Sequence, residues 1–216
     1  MMHSFIGAEN IISPLTEGAS ENFDMIYSGK SAVQLHKGVG IQNEDLYISK
    51  FNYSIDLTEL IVSSISNSLE EYKWKNSKRS LLILSTTKGE IEYLKTNDID
   101  EARLSVLLDK VVQKINFKGD SIVLSNACIS GVLGLVQAHD FIQSDCYDEV
   151  IVCGGDLASL FTISGFQSFF AISSEPSKPF DKNRKGINLG EGAACIILSN
   201  DKSQFKAYHS IRLCLE

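Results

Sequence analysis

Among the residues able to do chemistry, Cys128 stands out, in the run Ser125-Asn126-Ala127-Cys128-Ile129-Ser130-Gly131. The apolar Ile122-Val123-Leu124 before it reads as a strand and the residues after it as a helix, so the thiol sits where a sheet hands over to a helix. There it meets the first unpaired amides of the helix and the positive end of its dipole, which favour thiolate and can hold a developing oxyanion. That is the setting of a covalent nucleophile.

Competing motifs fail. Gly29-Lys30-Ser31 has Asp24 where a phosphate-binding loop needs its first glycine, and Gly38-Val39-Gly40 has Asn43 in the third glycine position of a dinucleotide fingerprint. The histidines His3, His36, His139 and His209 are scattered. His139 lies on the same predicted helix as the thiol but roughly 16 Å along its axis, too far to act as its base. Cys128, Cys146, Cys153, Cys195 and Cys214 form no CxxC pair and no Cys/His cluster, so neither a metal nor a cofactor is expected. They read as reduced thiols of a cytoplasmic protein.

Several elements must position the nucleophile. Ser54 to Tyr72 carries Leu57, Ile61, Ile65, Leu69 and Tyr72 at helical spacing, with Asp56-Leu57-Thr58-Glu59 resembling a capping box. Asp98 to Ile115 repeats the pattern. Leu81–Leu84, Ile122–Leu124, Val150–Val152 (stopped by Gly154-Gly155) and Ala193–Leu198 read as buried strands. Strands alternating with helices predict an α/β fold with a mostly parallel sheet and helices on both faces. Ile129, Val132, Leu133, Leu135 and Val136 point all around the helix that follows Cys128, which predicts a buried helix, covered by the rest of the chain or by another protein.

Composition narrows the class. The 216 residues are 44% hydrophobic, enough for a real core in one domain spanning 1–216. A net charge of -7 offers no positive field for nucleic acid or anionic lipid, and no apolar run approaches the ~20 residues of a membrane span. The Met1–Glu9 segment lacks the basic start of a secretion signal, and the closing Leu215-Glu216 reads as the remnant of a tagged expression product.

Five blocks set Cys128 in a larger pattern: Asn126-Ala127-Cys128-Ile129-Ser130-Gly131, Gly154-Gly155-Asp156, Gly165-Phe166, Pro179-Phe180-Asp181 with Arg184 and Gly186, and Gly190-Glu191-Gly192-Ala193-Ala194. In order and spacing they resemble the N-terminal half of the β-ketoacyl-acyl carrier protein synthases, strongly from Ile122 to Leu198 and weakly before. The resemblance implies a thiolase-like fold of two stacked α/β halves, with the nucleophile's helix buried between them. It implies that Cys128 accepts an acyl group from acyl carrier protein as a thioester, its own amide serving as an oxyanion donor, before a malonyl-carrier carbanion condenses with it. Glu191, Asp181, Arg184 and Phe166 are expected to shape the site, with Asp181 and Arg184 pairing in a buried turn. Lys178, Lys182, Arg184 and Lys185 read more readily as a solvated loop than as a docking patch for an acidic carrier protein, and Phe161, Phe166, Phe169 and Phe170 more readily as core fill than as an acyl- or dimer-facing surface.

The chain departs from the family in two respects. Cys128 arrives early, which implies trimmed loops between Tyr53 and Ile122. The family's pair of histidines and its lysine, which drive decarboxylation, lie in a C-terminal half that these residues do not include. Two readings follow: a synthase of fatty-acid, polyene or polyketide assembly whose condensation needs that second half, or a non-catalytic thiolase-fold partner of an active synthase. Association as a homodimer or with a partner synthase subunit is expected on either.

Overall fold

The computed structural model describes residues 4–204; His3, His209, Cys214 and Leu215-Glu216 lie outside them. The order is β1 (Phe5–Ile12), α1 (Ala19–Tyr27), β2 (Val33–His36), β3 (Leu46–Ser49), α2 (Leu57–Glu71), β4 (Ser80–Ser85), a 3-10 turn at Ile91–Thr96, α3 (Leu104–Lys114), β5 (Asp120–Leu124), α4 (Ser130–Gln143), β6 (Glu149–Asp156), α5 (Leu160–Ser168) and β7 (Gly192–Ser199), closed by a 3-10 turn at Lys202–Gln204. β2 and β3 pair separately, and the other strands form one sheet in the order β1-β7-β6-β4-β5.

β5, β4 and β6 run parallel, while β7 lies antiparallel to both β6 and β1, so β7 alone opposes the other four. Two faces of alternating side chains build two cores. Leu82, Leu84, Ile151, Cys153, Cys195 and Ile197 pack with α2 and α3 on one side. Leu81, Ile83, Val150, Val152 and Leu198 pack with Ala138 and Ile142 of α4 on the other. The expected α/β layering with helices on both faces is what the chain adopts. β4 is buried along its whole length, which is why it reads as an unbroken apolar run.

Several boundaries differ from expectation for identifiable reasons. α2 starts at Leu57 because the Asp56 carboxylate accepts the Glu59 amide at 3.1 Å; the Glu59 side chain pairs with Lys114 of α3 rather than completing a capping box. α3 begins only at Leu104, since left-handed Asn97 ends the 3-10 turn before it and Asp98 caps a separate turn through the Glu101 amide. Gly154 and Gly155 do not stop β6, which runs through both to Asp156. A Cβ on Gly154 would sit 2.1 Å from the Ser85 carbonyl oxygen, so the glycine serves close strand packing rather than a turn.

The described residues enclose α4 on one side only: Gly134, Ala138 and Ile142 face the sheet, Gly134 close enough that a Cβ would meet Ser85 Oγ at 2.6 Å, while Val132 on the far side is 62% exposed. An apolar surface all around a helix tells that it is covered, not by what, and no described residue covers this face.

Cys153 and Cys195 oppose each other across β6 and β7, both buried. Burial pushes the Cys195 thiol up to about 12 and the Cys153 thiol well above the ordinary 9.0. The unfolded chain ionises these thiols first, so their contribution to stability is complete below pH 9 and is lost as pH rises above it, for Cys195 through about 12, by at most about 1.4 kcal/mol per pH unit per thiol. The urea midpoint is expected to fall between about pH 9 and pH 11, less steeply in Cys195→Ala; equal slopes for the two proteins would contradict this account.

Candidate functional site

The connection β4-α3-β5-α4-β6 sends one crossover helix to each face of the sheet, with β5 and β6 landing on opposite sides of β4. The carboxyl ends of parallel strands that diverge in this way leave a crevice, the usual place for a site in an open α/β sheet. Thr86 and Thr87 follow β4, Cys128 follows β5, and Asp156 ends β6. All four line one cleft of about 580 Å³, whose walls include Ile11, Ile12, Val132, Leu135, Ala194 and Ile196. Its surface is mainly apolar, with the polar groups gathered at the strand ends.

Cys128 is exposed and lies in the turn two residues before α4 begins. That turn is built tightly. Ala127 adopts a left-handed conformation with φ 46, a region that favours glycine. The Ser130 hydroxyl accepts the Asn126 amide at 2.8 Å and donates to the Ala127 carbonyl at 2.7 Å. The Ile129 and Ser130 amides donate to the Asn126 and Ala127 carbonyls. The turn is also tied to β4, since Ser125 Oγ donates to the Thr87 carbonyl at 3.3 Å. Thr87 in turn is held by Asp156, whose carboxylate accepts its hydroxyl at 2.8 Å, its amide, and the Thr86 hydroxyl.

The four cysteines described are all free, and they divide by access. Cys153 contributes to the cleft floor but is buried, its thiol directed at the Ile83 carbonyl. Cys195 is buried beneath α2. Cys146 is exposed beside Ser144 Oγ, outside the cleft. Cys128 is thus the exposed thiol of the cleft. His139 is engaged elsewhere, its Nδ1 2.6 Å from Ser4 Oγ. Among the described residues no group of three His, Cys, Asp or Glu side chains is placed to hold a metal ion, and no helix is long and apolar enough to cross a membrane.

The other residues expected to shape the site do not line this cleft. Glu191 is buried and accepts the Phe51 amide at 3.0 Å and the Ala158 amide at 3.3 Å, with Lys50 Nζ 3.7 Å away. It lines a neighbouring hollow of about 340 Å³, while the next residues, Gly192 and Ala193, line the cleft. Asp181 and Arg184 do not form a buried ion pair: both are exposed, Arg184 Nη1 donates to the Asp181 backbone carbonyl, and the Asp181 carboxylate accepts the Asn183 amide. Phe166 lies half-buried on α5, away from the cleft. Its neighbours are not core either, Phe169 and Phe170 being 83% and 92% exposed. In the basic loop, Lys178 and Lys185 pair with Glu175 at the surface. Sequence reasoning passed over Thr87, Asp156 and Ser130 as working residues; the available signal was polar side chains immediately after apolar strand runs and just past the thiol.

Comparison with known proteins agrees with this geometry. A family model described as "Beta-ketoacyl synthase, N-terminal domain" matches residues 84–204, more than half of the chain. The 3-oxoacyl-[acyl-carrier-protein] synthase 2 of Coxiella burnetii is 37% identical over 92 residues, which make up 39% of this chain and 22% of that protein. Among solved structures, a ketosynthase in complex with its chain length factor from Xenorhabdus doucetiae superposes with a TM-score of 0.79 at 16% identity, over 93% of this chain and 58% of that one. A type II polyketide ketosynthase, solved in complex with its acyl-carrier protein, superposes with a TM-score of 0.76 at 16% identity, over 94% of this chain and 59% of that one. The chain therefore spans well under two thirds of the length of these relatives, and its fold is the thiolase-like α/β fold of the ketosynthases. Over a match that runs from the end of β4, where the cleft opens, to the turn after β7, the chain belongs to the β-ketoacyl synthase family as a member of the N-terminal-domain type.

Proposed function

We propose that Cys128 is the acyl-accepting nucleophile of a β-ketoacyl-acyl carrier protein synthase, in fatty-acid, polyene or polyketide assembly. The observation that carries this reading is the exposed thiol on a strained turn ahead of α4, opening into an apolar cleft at the ends of parallel strands. In the first half-reaction the Cys128 sulfur bonds to the acyl carbonyl carbon, the carrier's carbon–sulfur bond breaks, and the carrier thiol leaves with the proton. The tetrahedral oxyanion between these events would be held by the Cys128 amide, a contribution of roughly 3–4 kcal/mol where such donors have been removed. Apolar walls suit a hydrocarbon chain and exclude water from the thioester.

The second half-reaction needs a carbanion from a malonyl thioester. The family resemblance implies that the histidine and lysine groups for that step come from a C-terminal half, so these residues by themselves are expected to acylate without condensing. The open face of α4, the outer sheet edge at β5 and the exposed Phe161, Phe169 and Phe170 support association with a second half, a partner synthase subunit or another copy. Acyl carrier protein is the proposed donor of the acyl group and cytoplasm the proposed location.

The test is intact-mass analysis of the purified protein after incubation with an acyl-carrier thioester and then a malonyl-carrier thioester. The expected result is one acyl group on Cys128 and no ketoacyl product. A protein that takes up no acyl group is not an acyl-accepting synthase half; one that releases ketoacyl product does not depend on a second half.

A further inference from the structure

Ser130 is buried, and its side chain makes two contacts on the nucleophile turn. Its hydroxyl accepts the Asn126 amide at 2.8 Å and donates to the Ala127 carbonyl at 2.7 Å; its own amide reaches the same carbonyl at 3.3 Å. These contacts bracket Ala127, whose φ of 46 costs a non-glycine residue energy and persists only where the surroundings hold it.

The Ala127 carbonyl and the Cys128 N–H belong to one planar peptide unit, in which they point in opposite directions. Two donors from Ser130 fix the carbonyl on the helix side, which turns the Cys128 N–H away from Ser130. Hydrogen bonds onto the carbonyl also polarise the peptide unit and make that N–H a stronger donor.

We propose that Ser130 is a positioning residue that aims and strengthens the Cys128 amide as the oxyanion donor, without touching the substrate. The proposal rests on the acyl-transfer reading above. It separates two properties of the thiol: being reachable, which depends on the turn's exposure, and being able to take an acyl group through a tetrahedral intermediate, which depends on the direction of one N–H.

The test compares the unsubstituted side chain with Ser130→Ala, Ser130→Thr and Ser130→Val, all in a Cys146→Ala background so that Cys128 is the only exposed thiol among the described residues. Two rates are followed by intact mass: acylation by hexanoyl-N-acetylcysteamine, which passes through an oxyanion, and alkylation by iodoacetamide, which does not. Ser130→Ala is expected to slow acylation about ten-fold or more while alkylation stays within about two-fold, on the scale expected when an oxyanion donor is lost or misdirected. Ser130→Thr, which keeps the hydroxyl, is expected to stay near the unsubstituted rate while its near-isostere Ser130→Val follows alanine. This pair carries the comparison should the alanine variant unfold. Equal falls in both rates, or a fall in neither, overturn the assignment. An unsubstituted protein that is alkylated but never acylated overturns the acyl-transfer reading itself, and the assignment with it.

Discussion

Cys128→Ala is expected to remove acyl uptake completely while leaving the protein folded. The sulfur is exposed in the turn ahead of α4, so its loss opens no cavity and takes no hydrogen bond from the core; surface changes of this kind usually move stability by no more than about 0.5 kcal/mol. The chemistry has no substitute nearby. Cys153 on the cleft floor is buried and pushed well above the ordinary thiol range by desolvation, so its neutral form is the one present at pH 7. Cys146 is exposed but outside the cleft, and Cys146→Ala is expected to keep acyl uptake intact. Incubation with acyl thioester followed by peptide mapping checks both outcomes. An acyl adduct that persists in Cys128→Ala, or disappears in Cys146→Ala, moves the nucleophile elsewhere and removes the basis for the proposed function.

How far the sequence announces this arrangement varies with the physics of each element. β4 and the cores of β5, β6 and β7 are legible because strands covered on both faces carry unbroken apolar runs. The placement of Cys128 follows from the same signal, since a strand that ends two polar residues before a small residue and a thiol leaves little room for anything but a turn into α4. β1 is not legible: Phe5–Ile12 reads Phe-Ile-Gly-Ala-Glu-Asn-Ile-Ile, without alternation, and it is a strand because β7 offers it a pairing edge and because Gly7 makes room for the Tyr72 ring, whose Cε2 lies 2.4 Å from where a Cβ would stand. Nor does the sequence show that Glu191 is spent on the Phe51 and Ala158 amides, which lie far from it in the chain, or that the Asp181 turn is exposed, since its own bonds to Asn183 and Arg184 are local and say nothing of what packs against it. Exposure of Phe169 and Phe170 is illegible for a related reason: aromatic residues at helical spacing look alike whether they face this chain's core or a surface awaiting a partner.

Glu149 provides the largest expected effect on stability. It opens β6 and is 1% exposed, yet its carboxylate is fully used: it accepts Ser80 Oγ at 2.6 Å, the Lys75 amide at 2.9 Å, the Asn76 amide at 3.0 Å and the Tyr72 hydroxyl at 3.3 Å. Those donors span the end of α2, the loop that follows and the first residue of β4, so one side chain at the start of the central strand β6 fastens the entry to its neighbour β4. Burial is the leading reason that the Tyr72 phenol is held well above its usual range, and the carboxylate's charge reinforces it. Glu149→Ala leaves these donors without their acceptor in a site closed to solvent, at about 1–3 kcal/mol for each group left unsatisfied. Water entering the vacated space recovers part of this, so a net loss of about 3 kcal/mol or more is expected, or roughly 6–12 °C in melting temperature for a chain of this length. Glu149→Gln keeps one acceptor oxygen but turns an NH2 group towards donors, and is expected to fall between the two. Thermal melts followed by circular dichroism measure the order. A melting temperature for Glu149→Ala within 2 °C of the unsubstituted protein would mean that the Lys75–Ser80 segment finds its hydrogen bonds without the carboxylate, and that the register of β4 against β6 is held by the apolar faces alone.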